Sequence, residues 1–309
     1  MSDTPVLAIV GSTASGKSEL AHRVALHYGD VEILCVDSMT VYRGMDIGTA
    51  KPTSEQRREV TYHLLDLVAS HETFTVAEFQ RLARHALDDI ASRGRRALLV
   101  GGTGLYSRAV IDNFDIPGEF PDIRQRLNAA AASDLAALYQ RLVELDPDAA
   151  SKMEPTNARR IVRALEVIEG TGQLFSSFGE NMRSYFPAPI PQVGLAPDPD
   201  ELDRTIAERL DGWITNGLIE EIEKLRDNPF GWSHTASQAV GYKEFLPYFE
   251  GTASLEACRD AAVLATRQLV RRQRRWFRRD PRIHWHHDAE SAAQQIATWW
   301  GPTHAGVGN

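Results

Sequence analysis

The sequence predicts an α/β fold in which a parallel sheet core carries helices on both faces and is interrupted by an inserted helical subdomain. Three observations carry this. Short apolar runs rich in β-branched residues alternate with helical patterns as far as Val100, the habit of βαβ units. The first run leads directly into a glycine loop that opens a helix. Beyond about residue 111, strands give way to helical stretches punctuated by Pro117, Pro121, Pro147 and Pro155, and a strand-like run (191–196, PQVGLA) then resumes the core. The expected division is 1–111 with 190–309 as the core and 112–189 as the insertion.

In chain order, residues 6–10 (VLAIV) read as a buried strand. Gly11, Ser12, Thr13, Ala14, Ser15, Gly16, Lys17 and Ser18 follow and match GxxxxGK[ST] at every position. Residues 19–28 then place Leu20, Val24 and His27 or Tyr28 on one side of a helix. Strand, loop and helix is the context that makes this motif a phosphate site and the core P-loop NTPase-like. The glycines let the backbone curl so that N–H groups point inward, and the helix N-terminus adds partial positive charge. Lys17 is placed to neutralise terminal phosphate oxygens, and the Ser18 hydroxyl to ligate Mg²⁺.

The next strand, 33–36 (ILCV), ends at Asp37, while 97–100 (ALLV) ends in Gly101-Gly102-Thr103. Strand ends of a parallel sheet gather where ligands bind, so Asp37 is expected above the phosphate loop as a metal ligand or proton acceptor. The blander alternative is a turn cap. No acid follows 97–100, which argues against hydrolysis of a nucleoside triphosphate. In the insertion, 123–132, 134–142 and 157–169 have helical spacing. A last long helix, about 255–278, puts Arg267, Arg271, Arg274 and Arg278 in one stripe, with Leu264, Leu269 and Val270 turned to the core and Trp276 and Phe277 as core anchors.

Composition sets the outer limits. Hydrophobic residues at 43% and charged residues at 25% belong to a globular chain, not a disordered one. No apolar run reaches membrane-spanning length, no basic leader precedes the first strand, and Cys35 and Cys258 are too few for a disulfide framework. A cytoplasmic monomer without membrane attachment is expected. The net charge of −8 argues weakly against nucleic acid, yet between Arg267 and Arg282 eight arginines stand against Asp280 alone. Such a stripe suits RNA phosphates. On a strand His284 and His286 share one face and His287 takes the other, which makes a poor metal cluster.

Several segments together resemble one family. The phosphate loop, the string DSMTVYRGMDIGTAKP (37–52), YHLLD (62–66), VGGTGLY (100–106), NARRIVRALE (157–166), QAVGYKE (238–244) and TRQLVRRQRRWFR (266–278) are similar to bacterial-type tRNA dimethylallyltransferases, also called tRNA isopentenyltransferases. The resemblance spans most of the chain, and the 37–52 string is its most specific part. It implies transfer of a dimethylallyl group from dimethylallyl pyrophosphate to N6 of the adenosine 3′-adjacent to the anticodon. The phosphate loop would then hold a pyrophosphate leaving group, with Mg²⁺ near Ser18. The resemblance further implies Asp37 as general base, Lys17 and Arg209 on the pyrophosphate, and Thr103 beside the leaving group. For tRNA contact it implies Ser38, Met39 and Thr40 around an extruded base, with Arg124, Arg159, Arg160, Ile161, Val162 and Arg163. The segment Gln238, Ala239, Val240, Gly241, Tyr242 and Lys243 is implied as a further contact, and the insertion as the part that holds the anticodon stem.

Three departures accompany the match. Ser12 stands where the family commonly has proline, and Thr40 where glutamine is frequent. No CxxC…H finger of the eukaryotic kind is present. Two other readings compete. A P-loop kinase of a small metabolite or nucleoside accounts for the loop but not for the 37–52 string. A non-catalytic RNA-binding protein leaves the loop and Asp37 unexplained.

Overall fold

The computed structural model describes residues 5–178, 184–187 and 190–301. Of the tail expected to fray, 301–309, only Gly301 lies within the described residues. The chain forms two compact units, one from Met1–Asp112 with Pro187–Asn309 and one from Asn113–Phe186.

The first unit is built on six strands: β1 (Val6–Gly11), β2 (Val31–Val36), β3 (Tyr62–His63), β4 (Arg96–Gly101), β5 (Gln192–Leu195) and β6 (Ile283–His286). They pair in the order β3-β2-β4-β1-β5-β6, every neighbour parallel. Its longer helices are α1 (Lys17–Tyr28), α2 (Val76–Ser92) and α3 (Gly104–Ile111) before the insertion. The insertion contributes α4 (Pro121–Leu145) and α5 (Ala158–Thr171). After it come α6 (Pro199–Thr215), α7 (Leu218–Arg226), α8 (Leu255–Phe277) and α9 (Ala289–Trp300).

A parallel sheet is covered on both sides, which is why its central strands read as unbroken apolar runs. The pleat sends alternate residues to opposite faces. Ala8, Val10, Leu34, Val36, Ala97 and Leu99 meet the helices α2, α3, α6 and α8. Leu7, Ile9, Ile33, Leu98, Val100 and Val193 meet Leu20 and Val24 of α1 and Ile296 of α9. Each such fully buried aliphatic side chain contributes roughly 1.5–3 kcal/mol. On α8 the core face is Ala262, Val263, Val270 and Phe277. Leu264, expected on that face, is instead 56% exposed, because it falls about one helical residue-step (100°) beyond the buried stripe.

Register fixes the site. Val10 of β1 and Val36 of β2 both pair with Gly101 of β4, so the three strands end within one residue of the same level. The residues that follow them, the phosphate loop, Asp37 and Gly102-Thr103, therefore emerge side by side.

The second unit has its own core, with Leu127, Leu138, Leu142, Ile161 and Leu165 buried together. Its long helix α4 is two helices joined at Asp134, whose φ of −151° breaks the helical path. The Asp134 carboxylate accepts the N–H of Ala137 at 2.9 Å and so starts the second segment as its cap.

Candidate active site

The phosphate loop winds into the left-handed region at Ala14 (φ 63°) and Gly16 (φ 84°). The first helical bond of α1 runs from Leu20 N–H to the Gly16 carbonyl at 3.0 Å. The N–H groups of Lys17, Ser18 and Glu19 consequently have no helical acceptor, and Gly16 offers no side chain to cap them. Ser15 Oγ is buried without a partner among the described residues. Free donors, a helix N-terminus and a lysine are what a phosphate group requires. Lys17 Nζ donates to the Ser12 carbonyl at 3.1 Å. Withdrawal from water pushes the Lys17 pKa down to about 8; Asp37 opposes that fall and the Arg209 charge adds to it. Arg209 is thus near enough for its charge to act on Lys17. Its own pKa is lowered by burial, with Glu19 opposing, and its guanidinium lies 5.9 Å from the ring centre of Trp213.

Asp37 begins the turn after β2. Its Oδ1 accepts the Met39 N–H at 2.8 Å, and its Oδ2 accepts the Thr103 hydroxyl at 3.2 Å. The turn-capping alternative is therefore correct as far as it goes, but one oxygen suffices for it. Thr103 Oγ1 also accepts the Ser38 N–H at 3.4 Å. Expected beside the leaving group, the Thr103 hydroxyl spends its single proton on Asp37. The carboxylate is thereby held from two sides with lone pairs still free.

The 37–52 string is a folded support. Lys51, its side chain 1% exposed, donates to the Tyr42 carbonyl (2.7 Å), Asp46 (2.7 Å) and Asp66 (2.5 Å). The Glu221 carboxylate of α7 accepts the N–H groups of Asp46, Ile47 and Gly48 and the Tyr242 hydroxyl at 2.6 Å. Gly48 lies flat on the Tyr242 ring, where a Cβ would come within 2.4 Å of a ring carbon. Burial and the Glu221 charge push the Tyr242 pKa far up, so it stays a hydrogen-bond donor. Sequence reasoning missed Glu221, which on α7 looks like one more solvent-facing acid among Glu220 and Glu223.

The residues expected to touch tRNA divide sharply. Gln238 and Lys243 are exposed, whereas Ala239 and Tyr242 are buried, Val240 is half-buried, and Gly241 turns the chain at φ 90°. On α5, Arg159 and Arg160 are exposed, but Ile161 and Val162 sit in the insertion's core and have no side chain to offer RNA. Arg124 and Arg163 are also turned inward. Both pair with the fully buried Glu166, at 2.9 and 3.0 Å, and Arg163 donates to the Pro117 and Gly118 carbonyls. Ser38 and Met39 are half-buried, and Thr40 is buried with its hydroxyl unpartnered among the described residues.

On α8, Arg267 is engaged with Asp203 at 3.2 Å, and just beyond the helix Arg282 pairs with Asp112 and Asp280. The open basic surface is therefore shorter and further along than the expected stripe: Arg271, Arg274, Arg275, Arg278 and Arg279 line one pocket. His284 packs on Trp299 and His287 faces the Ala196 carbonyl at 3.2 Å.

Comparison with known proteins identifies the family. The family described as IPP transferase matches residues 40–280. A tRNA dimethylallyltransferase of Salinispora tropica is 48% identical over 281 residues, covering 91% of this chain and 87% of the relative. One from Thermobifida fusca is 47% identical over 285 residues, covering 91% and 89%. The crystal structure of the full-length tRNA isopentenylpyrophosphate transferase from Bacillus halodurans superposes with a TM-score of 0.68 at 37% identity, covering 95% of this chain and 94% of that one. A eukaryotic dimethylallyltransferase acting on tRNA superposes with a TM-score of 0.79 at 26% identity, covering 94% and 77%. The α/β sheet, the phosphate loop, the 37–52 string and these similarities converge, and the chain belongs to the IPP transferase family.

Proposed function

We propose that the protein transfers a dimethylallyl group from dimethylallyl pyrophosphate to N6 of the adenosine 3′-adjacent to the anticodon in tRNA. The observation that carries this reading is the near-level ending of β1, β4 and β2, which sets a braced carboxylate, Asp37, beside a phosphate loop. A kinase would account for the loop and for a carboxylate beside it, but not for the 37–52 string held by Lys51, Glu221 and Tyr242, and the relatives named above are transferases of tRNA.

In this reading the pyrophosphate lies on the N–H groups of Lys17, Ser18 and Glu19. Lys17 and Arg209 stabilise the charge that grows on it as the allylic C–O bond breaks. The exocyclic amine of adenine is a weak nucleophile, so orientation and proton removal govern its attack. The new bond forms between N6 and the allylic carbon, and Asp37 accepts the N6 proton. Thr103 and Met39 hold that carboxylate in place. Such a base is reachable only when extruded from its stack, which suits a target in an RNA loop.

Mg²⁺ fits the site as a cation with few protein ligands. Among the described residues no group of three or more His, Cys, Asp or Glu is gathered for a metal, while Ser18 is exposed at the loop's end. Mg²⁺ usually keeps several waters and binds through substrate phosphates, so Ser18 with pyrophosphate oxygens would hold it, and it would supply charge neutralisation on the leaving group. For tRNA, the exposed Arg159, Arg160, Gln238 and Lys243 and the arginine pocket of α8 are the side chains available for contact. A tRNA substrate fits a cytoplasmic location.

The test is direct: incubate the protein with Mg²⁺, labelled dimethylallyl pyrophosphate and unmodified tRNA, with ATP in a parallel tube. Label incorporated into tRNA at the adenosine beside the anticodon is the expected result. ATP turnover without labelling would replace this reading with the kinase.

A further inference from the structure

α8 carries the arginine pocket on one side, and on its inner side Gln273 reaches the phosphate loop. Gln273 Oε1 accepts the Thr13 N–H at 2.9 Å, and Nε2 donates to the Gly102 carbonyl at 2.9 Å. One side chain thus ties the loop after β1 to the loop after β4. The contact is close on every side. A Cβ at Gly102 would lie 3.0 Å from Gln273 Nε2 and 3.4 Å from Lys17 Nζ. One turn further along α8, Trp276 packs onto Gly104, where a Cβ would stand 2.1 Å from the indole. Gly104 opens α3 directly after Thr103, the residue that holds Asp37.

The chemistry of the position calls for a primary amide. It must accept from a backbone N–H and donate to a backbone carbonyl at once, and glutamine does both from one planar group. A carboxylate there would repel both the Gly102 carbonyl and an incoming pyrophosphate. A cation would compete with Lys17. Gln273 is the only uncharged polar residue in the run from Arg271 to Arg279, otherwise arginine with Trp276 and Phe277. Thr13 precedes the donors of the loop's second half, so its bond to Gln273 anchors the curl while leaving the N–H groups of Lys17, Ser18 and Glu19 directed at an anion.

We propose that Gln273 is a positioning residue: it clamps the phosphate loop to the Gly102–Gly104 segment and so sets the geometry in which pyrophosphate and Asp37 face one another. This rests on the reading of the loop as a pyrophosphate site. Gln273 does not touch the reacting atoms; it acts through Thr13 and Gly102. A misplacement of about 1 Å in such a frame can cost on the order of 10²-fold in rate.

The test compares wild type with Gln273→Met, which keeps the length and loses both bonds. Binding of inorganic pyrophosphate with Mg²⁺ is measured by calorimetry, tRNA binding by filter retention, and KM for each substrate by labelling. Expected are a roughly tenfold weaker pyrophosphate Kd and a raised KM for dimethylallyl pyrophosphate, with tRNA Kd within twofold. Should Gln273→Met fold poorly, Gln273→Asn keeps a neutral amide that is one methylene too short to bridge Thr13 and Gly102, and is expected to weaken pyrophosphate in the same way. Unchanged pyrophosphate affinity overturns the proposal, and so does a loss confined to tRNA, which would make Gln273 an RNA contact. Because pyrophosphate binding is read without tRNA or turnover, a wild type that binds it but labels no tRNA would sink the proposed reaction and leave this inference to stand or fall on its own.

Discussion

The Asp37 carboxylate accepts a backbone N–H on one oxygen and the Thr103 hydroxyl on the other, so its orientation is fixed before any substrate arrives. Replacing it with asparagine keeps the shape and removes the proton acceptor. Asp37→Asn is expected to lower the single-turnover rate by about 10²–10⁴-fold while tRNA Kd moves less than threefold, and near-normal turnover would remove Asp37 as the base. Lys17 gives a pH signature. With a pKa of about 8 in the free protein, it is charged below that pH and neutral above it. The KM for dimethylallyl pyrophosphate should therefore rise as pH passes from about 8 upward. The sign for stability is opposite. The unfolded chain, with lysine at its ordinary 10.5, binds more protons between about 8 and 10.5, so stability rises with pH across that window. Because Cys35, pushed up by burial to about 12, acts in the opposite direction from about pH 9, the Lys17 effect is read as a difference: urea titrations should show wild type gaining stability relative to Lys17→Met across that window.

At the scale of elements, α8 has two working sides. Its inner side packs Val270 and Phe277 into the core and offers Gln273 and Trp276 to the loops after β1 and β4. Its outer side holds the open arginines, since Arg267 is engaged by Asp203. Removing one open arginine, as in Arg275→Ala, should weaken tRNA binding severalfold and flatten the slope of log K against log salt by about 0.7–0.9. Arg267→Ala should change that slope less, because its charge is already neighboured by a carboxylate. Equal slopes for the two variants would dissolve the distinction.

The whole molecule is two units with separate cores, and they should fail separately. Glu166, fully buried in the insertion, accepts from Arg124, Arg163 and the Phe120 N–H. Those partners hold its pKa below the ordinary value against burial, which raises it. Glu166→Ala takes the shared acceptor from two partly exposed arginines and from the Phe120 N–H, a change expected to cost about 1–3 kcal/mol. It should lower the melting transition of residues 113–186 and weaken tRNA binding, while calorimetry still finds pyrophosphate bound by the sheet unit. Much of this was legible in the chain. Apolar runs marked β1, β2, β4 and β5, helical spacing marked α8 and the two segments that meet at Asp134, and a motif marked the glycine loop, because apolar runs, helical spacing and phosphate cradles are local chemistry written within a few residues. The 37–52 string was legible as a signature but not as a structure. Lys51 and Gly48 are explained only by Asp66, Glu221 and Tyr242, partners far along the chain. The same holds for Gln273, an unremarked amide among arginines until folding sets it between Thr13 and Gly102. It holds for Arg124, Arg163, Ile161 and Val162, whose inward direction no spacing rule decides. The elements, the phosphate loop and the chemical candidates are legible in the chain alone. Which charges are spent internally and which remain for a ligand follows from the fold, because pairing between distant residues depends on the packing that brings them together.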